Sequence, residues 1–470
     1  MEEDQGEDSG SESDASSDEA ERSLNARLEA TEKTLAEFPY DYAAHVEKIS
    51  ILKDLSELDR LRDAREAFAA KYPLTSELWL AWIKDERGIA STPEEKEGIF
   101  KLFKRGVGDY VSVPLYLEYC QFALGSVGTE EGNKRARGVF EEAITAVGLN
   151  VNGGGVIWDA YREFELALMQ CSPGNQVQRE RVEKLFKRQL AVPLLDMEAT
   201  MEEYLQFTGQ GKPDKAVEGP FKQAKQMLEE RKKFEESLLQ SAEDADKNRA
   251  VYKEYLDFEI TAGQPTRITC LYERRATQHC LVPEVWSEYV GFLDAQLKIA
   301  DVSLPVHERA VRNCTWSGDL WCGYMRALER YGQVGESRIT LVFERALGAG
   351  LSTPQDYLKV WLGYVDFRRR ATFSDEGDRD EKEEEARKAR EEALRTLFSR
   401  AVESLASIKG ADLECKVARY WASVEGDRFR AMDKSRSIWA DIVRQCYVHT
   451  NTALMPNINT YIPADILLKI

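Results

Sequence analysis

The stretch WCGYMRALERYGQVGESRITLVFERAL, residues 321–347, decides the fold. Trp321, Tyr324, Met325 and Leu328 stand at i, i+3, i+4 and i+7, which places them on one apolar stripe of a helix. Ile339, Val342, Phe343 and Ala346 repeat that spacing on a second helix, with Gly332 and Gly335 punctuating the turn between the two. Neither helix can bury its stripe alone. The two must pair, and the pair must stack on neighbours like itself.

Working outward, the same unit recurs along the chain. Its first helix opens with two aromatics three residues apart: Trp79/Trp82, Tyr116/Tyr119, Trp158/Tyr161, Tyr252/Tyr255, Trp286/Tyr289, Trp321/Tyr324 and Trp361/Tyr364. A Glu often closes this helix, as Glu86, Glu165, Glu259 and Glu329 do. The second helix carries aromatic-Glu-x-x-Ala or a relative of it, anchored by Phe140, Tyr272, His307, Phe343 and Phe398. The spacing of first aromatics runs 37 from Trp79 to Tyr116, 42 to Trp158, then 34 from Tyr252 to Trp286, 35 to Trp321 and 40 to Trp361. That is the length of a two-helix repeat with variable loops. Degenerate units fill the gaps near Asp41 to Tyr72, around Met201 and Tyr204, and around Trp421 with Trp439, giving about ten. We expect the aromatics, Phe140 and Phe343 included, to form the repeat core. Trp158, Trp286, Trp321 and Trp361 should each lie between the two helices of their own repeat, with the paired Tyr alongside.

Trp-x-x-Tyr with a closing Glu, followed by Phe-Glu-Arg-Ala, resembles the HAT (half-a-TPR) repeat, whereas the Gly and small residues of a tetratricopeptide pattern are missing. The resemblance implies an all-α, right-handed α-solenoid that holds components of an RNA-processing complex together. Local strings are more specific: Tyr72-Pro73-Leu74-Thr75, Leu117-Glu118-Tyr119, Gln189 to Thr200, and His307-Glu308-Arg309-Ala310-Val311-Arg312-Asn313-Cys314. Over about residues 38 to 445 the chain is similar to the family of squamous cell carcinoma antigen recognised by T-cells 3. In that family a HAT array precedes two RNA-recognition motifs, and the whole promotes U4/U6 snRNP assembly and recycling in the nucleus. The resemblance therefore implies as partners spliceosomal U4/U6 snRNP proteins, a ubiquitin-specific protease, and a second copy bound through the C-terminal repeats. No stretch here resembles the aromatic strand by which an RNA-recognition motif stacks on bases. We expect a form truncated before those motifs, with only indirect or weak RNA contact.

Composition and charge agree with a folded, soluble, intracellular chain. Hydrophobic residues make up 43% of the 470, and no run approaches a membrane span. The net charge is −19, and ten acidic residues with no basic one fall within the first 21 positions. Residues 1–23 are thus expected to remain a disordered tail, with Ser9, Ser11 and Ser16 as sites for an acid-directed kinase. The superhelix is expected over 24–446, with a charged insertion at 374–392 and an atypical tail at 447–470. The eight Cys (Cys120, Cys171, Cys270, Cys280, Cys314, Cys322, Cys415 and Cys446) include no C-x-x-C pair, so most are expected as buried thiols and no metal site is expected.

Two other function classes fit the sequence less well. No phosphate-binding, nucleophile-elbow, zinc-protease or dinucleotide motif occurs, and Gly153-Gly154-Gly155 lacks a preceding strand, so neither catalysis nor a cofactor is expected. Direct RNA binding by the solenoid would use basic second-helix positions such as Lys101, Lys104, Arg105, Arg179, Arg181, Lys184, Lys187, Arg188, Arg274, Arg275 and Arg368 to Arg370. Repeats alone also fit other HAT scaffolds, in mRNA 3′-end cleavage, pre-rRNA processing or the crooked-neck type.

Overall fold

The computed structural model describes residues 11–171, 174–332, 335–373 and 381–449. It divides into two compact units, Met1–His279 and Cys280–Ile470, within what the sequence presents as one array. Among the described residues the secondary structure is helical, with no strand.

The first unit opens with a helix, Ser11–Glu37, followed by six helix pairs. These are Tyr42–Asp54 with Leu58–Lys71 (repeat 1), Ser76–Ile89 with Pro93–Asp109 (repeat 2), and Val113–Leu124 with Glu130–Val147 (repeat 3). Gly155–Cys171 with Gln176–Gln189, Met197–Thr208 with Lys215–Gln240, and Ala245–Ala262 with Pro265–Gln278 are repeats 4 to 6. The second unit holds four pairs. Repeat 7 joins Pro283–Phe292, extended by a single π turn at Leu293–Leu297, to Ala300–Asn313. Repeats 8 to 10 are Gly318–Tyr331 with Glu336–Leu347, Pro354–Thr372 with Glu381–Ala406, and Lys416–Asp427 with Met432–His449. Each unit is thus an all-α solenoid of stacked helix pairs.

The helices start and stop where the sequence supplies chemistry for it. Thr92 and Glu95 form a reciprocal capping box at the start of the second helix of repeat 2, and Asp214 and Asp244 accept N–H donors at two further starts. Gly263 and Gly332 end their helices in the left-handed region, at φ 75° and 63°, which a glycine enters without steric cost. One continuous apolar core runs from Phe68 to Leu194 through repeats 1 to 4.

The acidic N-terminus departs from expectation in part: of the segment 1–23 expected to be disordered, residues 11–23 are helical, and 1–10 lie outside the described residues. Ser, Asp, Glu and Ala dominate 11–21, and acidic residues near a helix N-terminus are favoured by the macrodipole. Leu28, on the same helix, is buried in a small core with Ile51, Leu52 and Leu61 of repeat 1, which anchors the helix as a cap. In the charged insertion, 374–380 are not described, and the helix Glu381–Ala406 takes up the rest. Of the thiols, Cys120, Cys314 and Cys322 are buried, Cys270, Cys280 and Cys415 half-buried and Cys171 exposed, while the side chain of Cys446 lies outside the described ones. No described helix is long and apolar enough to cross a membrane.

Repeat stacking sets one sharp steric demand. A Cβ added at Gly318, at the start of repeat 8, would come within 2.8 Å of the Asp356 Cβ and 2.9 Å of its Cα in repeat 9. On an open helix Gly→Ala gains up to about 1 kcal/mol. Gly318→Ala should instead destabilise by about 1–3 kcal/mol, because the two helices must move apart. Urea denaturation of the two proteins decides the sign.

Candidate functional site

All sixteen aromatics predicted to form the repeat core are buried: Trp79, Trp82, Tyr116, Tyr119, Phe140, Trp158, Tyr161, Tyr252, Tyr255, Trp286, Tyr289, Trp321, Tyr324, Phe343, Trp361 and Tyr364. The first-helix Trp lies against an Arg from the second helix of its own repeat, which places its guanidinium 5.2 to 5.5 Å from the ring centroid: Arg105 on Trp79, Arg188 on Trp158, Arg309 on Trp286, Arg345 on Trp321 and Arg400 on Trp361. Three indole N–H groups donate to the carbonyls of the preceding loop, Trp158 to Gly148, Trp286 to Cys280 and Trp321 to Thr315. The Trp361 Nε1 is buried without a partner.

The Tyr behaves differently from the expectation that it sits beside the Trp inside its own repeat. It faces backward. Tyr119 stacks on Phe103, Tyr161 on Phe140, Tyr255 on Phe234 and Tyr364 on Phe343, each the second-helix aromatic of the preceding repeat, with centroids 3.9 to 4.9 Å apart. Phe140 and Phe343 of the aromatic-Glu-x-x-Ala motif, and likewise His307 on Tyr324 and Phe398 against Tyr420, are therefore links to the next repeat.

The charged motif positions continue this logic. The same Arg that covers the Trp reaches back, often bidentately, to a Glu on the preceding second helix: Arg105 to Glu66, Arg188 to Glu141, Arg345 to Glu308 and Arg400 to Glu344; Arg274 makes the same reach to Glu235. The closing Glu forms a second ladder. Glu86, Glu165 and Glu259 each accept two hydrogen bonds, through Nε and Nη2, from Arg62, Arg137 and Arg231 of the preceding second helix. Glu425, which sequence reading did not single out, does the same with Arg395. Glu329 breaks the pattern and pairs forward with Arg370. Sequence reading missed the Arg partners, because loops of variable length separate them from their Glu by 24 to 30 positions.

A dense polar cluster surrounds Asp294 in the π turn of repeat 7. Its carboxylate accepts from Ser303 Oγ at 2.6 Å, Tyr331 Oη at 3.2 Å and Arg330 Nη1 at 2.9 Å, and meets His307 Nε2 at 3.2 Å. Burial pushes the Asp294 carboxyl up, but the hydrogen bonds from His307 and Ser303, with the charges of His307 and Arg330, outweigh it and hold the group well below the usual carboxylate range. A serine, a histidine and an aspartate meet here, yet the serine donates to the carboxylate and not to the imidazole, so it is not poised as a nucleophile. A carboxyl depressed in the folded state stabilises above its unfolded value and loses that contribution as pH falls. Asp294→Asn should thus be less stable than the parent at pH 7, with the gap closing below about pH 4. A gap unchanged between pH 7 and 3 would show that the charge is not what matters.

Most of the basic positions considered for RNA contact are neutralised. Arg105, Arg188, Arg274, Arg368, Arg369 and Arg370 pair with carboxylates, Lys187 with Glu183, and Arg179 donates to the Phe207 carbonyl. Among the described residues the exposed aromatics are few and lie together at the N-terminal end of repeat 1: Phe38, Tyr40 and Tyr42.

Two family models match the chain, the PRP39 N-terminal HAT repeat over residues 29–206 and the PRP39 C-terminal HAT repeat over residues 229–315. The chain is 38% identical over 423 residues to mouse "Spliceosome associated factor 3, U4/U6 recycling protein", covering 88% of this chain and 42% of that protein. Its zebrafish counterpart is 39% identical over 438 residues, covering 89% and 44%. Fission-yeast "Pre-mRNA-processing factor 39" is 24% identical over 368 residues, covering 67% and 56%. The chain spans about two fifths of the length of the vertebrate relatives.

Proposed function

Since the chain belongs to the HAT-repeat family described by the PRP39 repeat models, a family of non-enzymatic scaffolds in splicing and RNA processing, we propose that it is a protein-binding scaffold acting on the U4/U6 snRNP. The observation that carries this reading is the 38–39% identity to U4/U6 recycling proteins over nearly nine tenths of the chain. The geometry is in keeping with it: the motif residues are spent on joining repeats, which leaves the outer surfaces of each stack free for docking. The scaffold works in the nucleus, holds spliceosomal proteins of U4/U6, recruits a ubiquitin-specific protease toward substrates, and self-associates through its C-terminal repeats. The last two statements rest on the sequence resemblance alone.

The test is affinity purification of the full chain from nuclear extract, with and without ribonuclease. Recovery of U4/U6-associated proteins after RNA digestion is the expected result. Recovery only of 3′-end cleavage or pre-rRNA factors would move the chain to another HAT complex. A second reading, direct RNA contact, has one observation in its favour. Phe38, Tyr40 and Tyr42 are exposed, and the Lys71 ammonium sits 4.9 Å from the Tyr40 ring centroid.

A further inference from the structure

One buried arginine stands outside the ionic ladders. Arg62, Arg137, Arg231 and Arg395 each donate two hydrogen bonds to a carboxylate. Arg267, near the start of the second helix of repeat 6, is only 8% exposed, yet among the described residues its guanidinium meets no carboxylate and bonds only the neutral Gln264 Oε1, through Nε at 2.8 Å. Burial pushes this guanidinium below its usual range, and the like charge of Arg231 adds to the effect, against a smaller opposing pull from Glu259. Glu259 cannot serve it, because both its oxygens accept from Arg231, and the half-exposed Glu230 lies 3.8 Å from Arg231. A buried cation without an anion of its own is costly to hold.

The place where this charge sits adds donors of its own. The helix Pro265–Gln278 begins without a side-chain cap, since Gln264 at the N-cap offers its first N–H groups no acceptor. Neither the N–H nor the hydroxyl of Thr266 has a partner among the described residues. Helical side chains point back toward the helix N-terminus, and the bond from Arg267 to Gln264 shows that its guanidinium does so. The two Nη groups of Arg267 and both donors of Thr266 therefore gather at the positive end of the macrodipole. Gln264, Pro265 and Thr266 are exposed, so this end opens to solvent. All of these residues belong to the first unit.

We propose that this helix start binds the phosphate of a phosphorylated Ser or Thr on a partner protein. A carboxylate has two oxygens, which the Nη pair alone would occupy, whereas a phosphate monoester offers three for the guanidinium and the two Thr266 donors together. No aromatic side chain of repeat 6 is exposed, so a nucleobase following its phosphate here would find no ring to stack on. The inference deepens the scaffold reading by naming one feature of a partner, and it rests on that reading for its biological setting. Its test uses only purified components, so its failure is distinct from a failure of the nuclear-extract purification.

The probe is N-acetyl-phosphoserine amide, titrated with the full chain and followed by phosphorus NMR, beside a short oligouridine as competitor. The parent should bind the phosphoserine with a Kd on the order of 1 mM. Arg267→Met should weaken that binding at least about tenfold, and Thr266→Val about threefold. Without ligand, Arg267→Met should melt at a higher temperature than the parent, because it removes an uncompensated buried charge and keeps the chain length. Lys184→Met, at an exposed site in repeat 4, should bind like the parent and so controls for net charge. No binding by the parent, or equal binding by Arg267→Met, would overturn the proposal. So would a lower melting temperature for Arg267→Met, which would show that the guanidinium already has its counter-charge. Displacement of the phosphoserine by oligouridine at lower concentration would overturn it as well, by assigning the helix start to RNA.

Discussion

Replacing Trp321 with Ala should lower stability by about 3–5 kcal/mol, among the largest losses available to a single core truncation. The indole is 2% exposed, its N–H donates to the Thr315 carbonyl at 2.8 Å, and its face carries the Arg345 guanidinium. Truncation opens a cavity and orphans that carbonyl. It also removes the surface that orients Arg345 toward Glu308 in the preceding repeat. The damage should therefore spread to a neighbour, as stacked repeats share their interfaces. Urea denaturation followed by helical circular dichroism measures this. A loss under about 1 kcal/mol would mean the Trp is not the keystone that its burial implies.

Glu259→Ala should be comparably severe, at about 3–5 kcal/mol, because it strands a buried charge. Arg231 and Glu259 have side chains only 2% and 4% exposed and share two hydrogen bonds of 2.7 and 2.9 Å. Without the carboxylate, Arg231 keeps the Met227 carbonyl, the ring of Phe258 and the half-exposed Glu230 carboxylate at 3.8 Å, but no anion on the first helix of repeat 6. The informative comparison is the double replacement Arg231→Met with Glu259→Leu, which removes both charges and keeps volume. It should recover most of the loss, since the penalty lies in the unpaired ion more than in the absent bond. The exposed pair Lys222–Glu218 serves as a control, and breaking it should change stability by less than about 1 kcal/mol. If the double variant were as damaged as the single, the ladder would owe its effect to shape and not to charge.

Much of this framework was legible in the residues. Period and aromatic type placed Trp158, Trp286, Trp321 and Trp361 in the core, because a stripe recurring at helical spacing must be buried against something. Burial alone, however, does not say against what. Tyr161 and Tyr364 point to the preceding repeat, a direction fixed by how pairs stack and not by any local pattern. The ionic ladders were half visible. Glu86, Glu165 and Glu259 stood out by position, but their Arg partners lie across loops of differing length, so no fixed spacing marks them. No local pattern marks Gly318 and Gly106. Their meaning comes from a neighbouring element, since a Cβ on Gly106 would lie 3.0 Å from the Trp79 ring. The N-terminal acidic run misled for a related reason: composition judged it alone, while Leu28 further along the same helix docks on repeat 1.

The central claim is that the repeats spend their aromatics and most of their arginines on their own assembly, and so bind proteins and do not read RNA. Gel-shift titration of U6 RNA with the full chain at about 150 mM salt tests it most directly, repeated at lower salt and with Tyr40→Ser and Lys71→Glu. Weak binding that falls steeply with salt, and no annealing of U4 to U6, is the result predicted. Tight, salt-resistant binding of U6 would contradict the account.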